Sequence, residues 1–149
     1  MLIETQRFGP LEVNEERIID FYDGLLGFHE QRRYALIQTS PDPVFFWLQS
    51  VDDPQLAFVV CDPLAFIPDY QVPIRAGDVA SLRLSDLTDC QVLVIVNKVA
   101  DKLTANLLGP LVIGARSLLG KQLVLADKRY STRHPLITTD VTPAVSRTA

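Results

Sequence analysis

The sequence has few of the residues and motifs that would fix a function by themselves. Its two cysteines, Cys61 and Cys90, lack Cys-x-x-Cys spacing, so we expect buried, reduced thiols, a disulfide between them being the alternative. No apolar run reaches the about 18 residues of a membrane-spanning helix. The start of the chain carries an acid, Glu4, and no apolar segment typical of a secretion signal. These absences predict a cytoplasmic protein that does not enter a membrane.

Catalytic motifs are also missing. The only histidines, His29 and His134, lie in polar segments, and no Gly-x-Ser-x-Gly, His-Glu-x-x-His or Ser-x-x-Lys pattern is present. Gly24 and Gly27 lie three residues apart without the further glycines of a phosphate-binding loop. They indicate a structural corner, with a binding loop as the alternative. We therefore expect no enzymatic activity and no metal ion.

Acidic residues outnumber basic ones and are concentrated in the first part of the chain. The 149 residues, the length of one domain, carry a formal net charge of −4. Residues 1–90 contain 15 acids and 6 bases, whereas residues 91–149 contain 3 acids and 8 bases. An acidic surface disfavours direct nucleic-acid binding and suits a basic protein partner. The alternative is that the acids are scattered solvating charges.

Short apolar segments between glycine and proline corners predict a mostly β, single-domain, antiparallel β-barrel-like fold, or a sandwich. One or two short helices complete it, with candidates at residues 14–17, 29–33 and 77–84. Gly9 and Pro10 are predicted to turn a first hairpin. The tail, residues 137–149, is rich in Thr, Ser, Pro and Ala and is predicted to be disordered, leaving a domain of residues 1–136. The predicted strands are residues 2–8, 11–13, 34–38, 46–50, 57–61, 92–96, 103–107, 111–113 and 118–125.

The densest core candidate is the pair of strands around an acidic turn. Trp47, the single tryptophan, lies in the first strand, and Asp52, Asp53 and Pro54 form the turn, with no basic neighbour in sequence. The turn is either structural, with a charged surface, or a protein contact. Adjacent side chains of an extended chain point in opposite directions, so a shared proton, and with it catalysis, is disfavoured.

Several short motifs follow one another along the chain: residues 21–28, 47–54, 57–60, 68–70, 104–107, 109–110 and 120–122, followed by Tyr130 and residues 133–135. In this order they resemble the motifs of the flagellar assembly factor FliW family, over residues 2–136. Two positions depart from the family pattern: Tyr22 stands where proline is typical, and Gly109 where alanine is usual. Residues 72–90 match poorly.

The resemblance implies a cofactor-free cytoplasmic protein with two protein partners, flagellin and the RNA-binding translational repressor CsrA. A FliW protein holds new flagellin and, once flagellin is exported, binds CsrA and relieves its repression of flagellin translation. We expect a monomer when the protein is free. Family motifs and expected exposure nominate partner contacts, among which Leu107 fits the core equally well: Asp52, Asp53, Pro54, Pro68, Asp69, Tyr70, Asn106 and Leu107.

Two other functions are alternatives to the FliW-type function. A split barrel that binds a flavin mononucleotide would need basic and hydroxyl groups around a phosphate, and Arg129, Ser131, Thr132 and Arg133 are such a cluster. A purely structural β-barrel interaction module is the other alternative.

Overall fold

Strands joined by tight turns make up most of the computed structural model, which describes residues 1–41 and 44–136. Two 3₁₀ turns, Glu15–Arg17 and Pro63–Ala65, and one α-helix, α1 (Ala76–Ser81), interrupt the strands of this part of the chain. The predicted disordered tail lies outside the described residues. The strands are β1 (Leu2–Thr5), β2 (Gly9–Glu12), β3 (Ile19–Phe21), β4 (Arg33–Ile37), β5 (Phe45–Ser50), β6 (Ala57–Cys61), β7 (Cys90–Val99), β8 (Lys102–Ala105), β9 (Leu111–Gly114), β10 (Leu119–Gln122) and β11 (His134–Pro135).

Seven strands close into a barrel in the order β7, β6, β5, β4, β3, β10 and β9, and β9 pairs back to β7. The first part of β7 pairs with β9, and its last part pairs with β8, which carries β11 at its outer edge. Every pair is antiparallel except β3 with β10, which is parallel. An odd number of strands cannot alternate in direction around a closed ring, so one parallel pair is unavoidable. The predicted β-barrel-like fold is confirmed with this one exception.

Successive side chains of each strand point to opposite faces of the sheet, so one set fills the barrel interior and the other contributes to a second buried layer outside the barrel. Leu48 and Val60 point inward, whereas Trp47 and Gln49 project from the opposite face of β5. The hairpin of β1 and β2 covers that outer face, and the Phe8 ring packs edge-on against Trp47 at 6.0 Å between centroids. The interior cluster consists of Ile19, Phe21, Leu25, Tyr34, Leu48, Val60, Leu93, Leu111 and Ile113.

Three local predictions were wrong. The first hairpin turns at residues 6–8, and Gly9 and Pro10 already belong to β2. Residues 29–33 do not form a helical turn: residues 29 and 30 lie in a non-helical turn, residues 31 and 32 are irregular, and Arg33 is already the first residue of β4. The strand predicted for residues 118–125 is only the four-residue β10. Its glycine, Gly120, marks a close approach, since a Cβ there would lie 2.5 Å from the Phe21 ring.

Candidate functional site

The turn between β5 and β6, residues 51–56, carries the adjacent carboxylates and is called here the acidic turn. Asp52 forms an ion pair with Arg33 of β4, whose Nη2 lies 2.7 Å from Asp52 Oδ1. The hydrogen bond to Asp52 and the charge of its carboxylate raise the pKa of Arg33. The two side chains are 48% and 49% exposed. The charge of Asp52 is therefore largely compensated by a base that is distant in sequence.

Asp53 carries the other carboxylate of the acidic turn, and the described residues supply it with no ion pair. Its Oδ1 accepts the N–H of Gln55 at 3.0 Å. Burial and, to a lesser extent, the charge of Asp53 raise the pKa of Tyr34 to about 12. Pro54 is exposed, and its carbonyl accepts the N–H of Gln6 at 2.9 Å. Asp53 is thus the carboxylate of the acidic turn that no base among the described residues compensates; it is half-buried, whereas Asp52 is exposed.

Two fully buried polar residues hold the acidic turn from beneath. Gln49 Nε2 lies 3.1 Å from the carbonyl oxygens of Ser50 and Leu56. Ser50 Oγ accepts the N–H groups of Asp52 at 3.2 Å and Asp53 at 3.0 Å. Hydrogen bonds with buried side chains therefore hold the backbone of the acidic turn at both of its ends.

The tip of the first hairpin adjoins the acidic turn, which the sequence did not predict. Arg7 stacks its guanidinium over Trp47, with Cζ 4.1 Å from the ring centroid. A cavity of about 340 Å³ separates the tip from the acidic turn. No local pattern predicts this contact, because residues 6–8 and 49–57 meet only after the hairpin folds over β5. The cavity is lined by Gln6, Arg7, Gln49, Pro54, Gln55 and Ala57.

The other five predicted contact residues belong to a second region, the Tyr70 corner, defined as Pro68, Asp69, Tyr70, Asn106 and Leu107. Tyr70 is buried, and its hydroxyl donates to the Leu107 carbonyl at 2.6 Å. Burial raises the pKa of Tyr70, and the Tyr130 ring packs edge-on at 4.8 Å. Leu107 is fully buried, whereas Pro68 and Asp69 are exposed. Only part of the corner is therefore open to a partner.

Asn106 shapes the turn that follows β8. Its Oδ1 accepts the N–H groups of Leu108 at 3.1 Å and Gly109 at 3.0 Å, an arrangement in which a side chain replaces a backbone turn partner. A Cβ on Gly109 would lie 2.9 Å from the side-chain nitrogens of Asn106 and Gln122. The glycine at this position therefore fits a tightly packed amide pair.

An apolar groove of about 470 Å³ opens beside the Tyr70 corner. Leu64 and Leu87 border it with 53% and 62% of their surface exposed, and Tyr70 forms part of its wall. Leaving large leucines in water is unfavourable, so the groove is a candidate docking surface for an apolar segment. It is lined by Asp62, Pro63, Leu64, Tyr70, Val72, Ile74, Leu87, Cys90, Gln91 and Val92.

Two further residues with potentially functional side chains, Arg129 and Cys61, have structural surroundings. Arg129 binds Asp127 through Nη2 at 2.7 Å, so this member of the predicted phosphate cluster already has a carboxylate partner. Burial raises the pKa of the Cys61 thiol to about 12.

Two features are absent from residues 1–41 and 44–136. No three His, Cys, Asp or Glu side chains in these residues are arranged to hold a metal ion. None of their helices has the length and apolar character needed to span a lipid bilayer.

Comparison with known proteins decides the family. The family model described as FliW protein matches residues 2–136. The chain belongs to the FliW family. It is 41% identical over 140 residues to the flagellar assembly factor FliW of Alkaliphilus metalliredigens, covering 92% of this chain and 86% of the relative. The FliW of Bacillus subtilis is 34% identical over 138 residues, covering 91% and 96%.

A solved structure supports the same assignment. The crystal structure of a flagellar assembly factor FliW superimposes with a TM-score of 0.83 at 34% identity, covering 95% of this chain and all of that chain. The resemblance seen in the sequence motifs is therefore confirmed, and so is the barrel fold. FliW proteins are named for flagellar assembly and not for a reaction, which places this chain in a family of assembly factors.

Proposed function

We propose that this FliW protein binds flagellin in the cytoplasm and, when free, binds CsrA and relieves the repression of flagellin translation. Family membership supports the general role, and the acidic turn carries the proposal for CsrA. It carries Asp53, a half-buried carboxylate without an ion pair among the described residues, on a backbone that buried side chains hold in place. A fixed, uncompensated acid suits a basic protein surface.

Electrostatic repulsion gives the mechanism. CsrA must present a basic surface to RNA, and phosphate contacts dominate such binding. A protein whose first 90 residues carry 15 acids against 6 bases places negative charge beside that surface when it docks there. The added field repels phosphate and weakens RNA binding without filling the whole RNA site.

The apolar groove is the proposed flagellin site. The ends of flagellin are amphipathic helices, and such a helix lays its apolar face into a hydrophobic groove. Leu64 and Leu87 at the rim and Tyr70 in the wall provide an apolar lining beside the exposed Pro68 and Asp69. The acidic turn and the groove lie at opposite ends of the β5–β6 hairpin, so they are two separate surfaces.

Reversing the charge of the acidic turn tests the CsrA half of the proposal. Asp52→Lys combined with Asp53→Lys should weaken the release of RNA from CsrA in a gel-shift assay while the fold is kept. Asp53→Lys alone is the sharper variant, because Asp52 also pairs with Arg33. Asp101→Lys, at an exposed acid in the turn after β7, is the matched control. Undiminished release by the Asp53 variants would refute the role of the acidic turn.

A competition pull-down tests the flagellin half and the alternatives. Tagged protein should retain CsrA. Added flagellin should displace CsrA through the bulk of the bound chain, because only the length of the β5–β6 hairpin separates the groove from the acidic turn. Leu87→Glu should reduce flagellin capture, since it places a charge in an apolar groove. The protein alone should not bind RNA at physiological salt, and micromolar RNA binding would contradict the proposal. Capture of neither protein would favour the structural module, and absorption in the flavin bands would favour the split-barrel enzyme.

A further inference from the structure

Gln49 makes an unusual set of contacts for a buried side chain. Its Nε2 lies 3.1 Å from the carbonyl oxygens of Ser50 and Leu56 and 3.4 Å from those of Asp53 and Pro54. A carboxamide nitrogen has only two hydrogens, so these four acceptors share them. One side chain therefore gathers carbonyl groups from the whole length of the acidic turn.

The other end of the same side chain has no partner. Gln49 Oε1 is buried and accepts no hydrogen bond among the described residues, and the whole residue is fully buried. An unsatisfied buried acceptor costs stability, and such atoms in a folded protein call for an explanation. A methionine of similar size would fill the space without that cost. The contacts of Gln49 are thus better explained by the shape of the acidic turn than by the packing of the barrel.

We propose that Gln49 is a positioning residue for the partner-binding surface. It draws the carbonyl groups of the acidic turn inward, against the barrel wall, and thereby fixes the backbone that carries the half-buried Asp53 carboxylate. Ser50 Oγ fixes the adjacent N–H groups, and the Gln6 N–H closes the arrangement on the Pro54 carbonyl. This inference rests on the proposed function, because it assigns Gln49 to the surface that meets CsrA.

Two substitutions remove, in different ways, the hydrogen bonds that Gln49 donates to the carbonyl groups of the acidic turn. Gln49→Met keeps the approximate volume and removes both donors. Gln49→Glu is nearly isosteric, but its carboxylate faces four carbonyl oxygens and repels them. Gln55→Glu is the matched control, since it adds the same charge to an exposed position of the same turn. If only net charge matters, Gln49→Glu and Gln55→Glu should act alike; if position matters, they should differ.

The experiment uses the full chain and measures three quantities. Titration with purified CsrA should show affinity about tenfold weaker for Gln49→Met and Gln49→Glu, the effect of losing hydrogen bonds that orient a contact group. Affinity for flagellin, which is assigned to the groove, should stay within about twofold of wild type. Hydrogen exchange should become faster at the amides of Gln6, Asp52 and Asp53, which report directly on the acidic turn.

Every outcome decides the inference. Selective loss of CsrA binding with faster exchange supports it. Unchanged CsrA affinity in the folded Gln49 variants overturns it, and so does an equal loss for both partners or a failure of both variants to fold, because either result marks a general structural role. A wild-type chain that does not bind CsrA refutes the proposed function, and the hydrogen-exchange result then still shows whether Gln49 holds the turn.

Discussion

The acidic turn and the Tyr70 corner are built by opposite means, although both adjoin the same β5–β6 hairpin. In the acidic turn, buried polar side chains tie down the backbone, and the carboxylates remain at the surface. In the corner, aromatic and aliphatic side chains are buried, and one hydroxyl-to-carbonyl hydrogen bond at 2.6 Å joins its two segments.

The difference shows how one small barrel can offer two kinds of surface. A charged contact needs its carboxylate in water and its backbone held firmly, which the acidic turn provides. An apolar contact needs a wall that does not collapse, which the Tyr70 corner provides for the groove. We therefore expect mutations in the corner to act through stability, and mutations in the acidic turn to act through binding.

The largest expected effect comes from Leu107→Ala, which removes a fully buried side chain from the corner. Lost burial and the resulting cavity should reduce the free energy of unfolding by about 2–5 kcal/mol. Urea denaturation followed by tryptophan fluorescence measures it. A loss below about 1 kcal/mol would show that the corner is not part of the core. It would then contradict the contrast between a corner that acts through stability and an acidic turn that acts through binding.

Tyr70→Phe should have the next largest effect, about 1–3 kcal/mol, because the Leu107 carbonyl then lacks its donor. Tyr34→Phe is the control: the Tyr34 hydroxyl is buried without a partner among the described residues, so its removal should be neutral or stabilising. Thermal unfolding of the two variants, measured side by side, tests this. Equal destabilisation of the two variants would mean that the hydrogen bond from Tyr70 to the Leu107 carbonyl does not contribute measurably to stability.

Acid should weaken a third contact, the ion pair that joins α1 to β10. Asp78 Oδ1 lies 2.9 Å from Lys121 Nζ; burial would raise the pKa of Asp78, but the hydrogen bonds from Lys121 and the Arg75 N–H lower it overall. A depressed pKa gives stability that is present above the unfolded value of about 3.9 and is lost as pH falls through the folded value. The stability difference between wild type and Asp78→Asn, about 1 kcal/mol at neutral pH, should shrink below about pH 4. A difference that is independent of pH would contradict this.

The smallest expected effect is that of Asp52→Asn. It weakens an ion pair whose side chains are half exposed, and such pairs contribute about 0–1 kcal/mol. Denaturation should show little change, whereas Asp53→Asn should reduce CsrA binding more than Asp52→Asn does, because the Arg33 side chain already compensates Asp52. Equal binding losses would remove the distinction between the two carboxylates.

The sequence predicted much of the fold because its local patterns are clear. Alternation and β-branching located β4, β5, β6 and the centre of β7, and the motif order identified the family. It could not place Arg33 beside Asp52, since that pair forms only when β4 and β5 align. It also could not show that Tyr70 is buried, because the proline-rich segment around it has no period that separates an inward from an outward side chain.

What the sequence alone determined is the identity of the short strands, the excess of acid in the first 90 residues and the membership of the FliW family. These follow from composition and from neighbours along the chain. The tertiary structure alone decided which carboxylate of the adjacent pair is compensated, that Gln49 gathers the carbonyl groups of the acidic turn, and that seven strands close with one parallel pair. The ion pair and the parallel strand pair join residues that are distant in sequence and that meet only when the strands pair. The contacts of Gln49 are local, but no sequence pattern shows that its side chain turns toward those carbonyl groups.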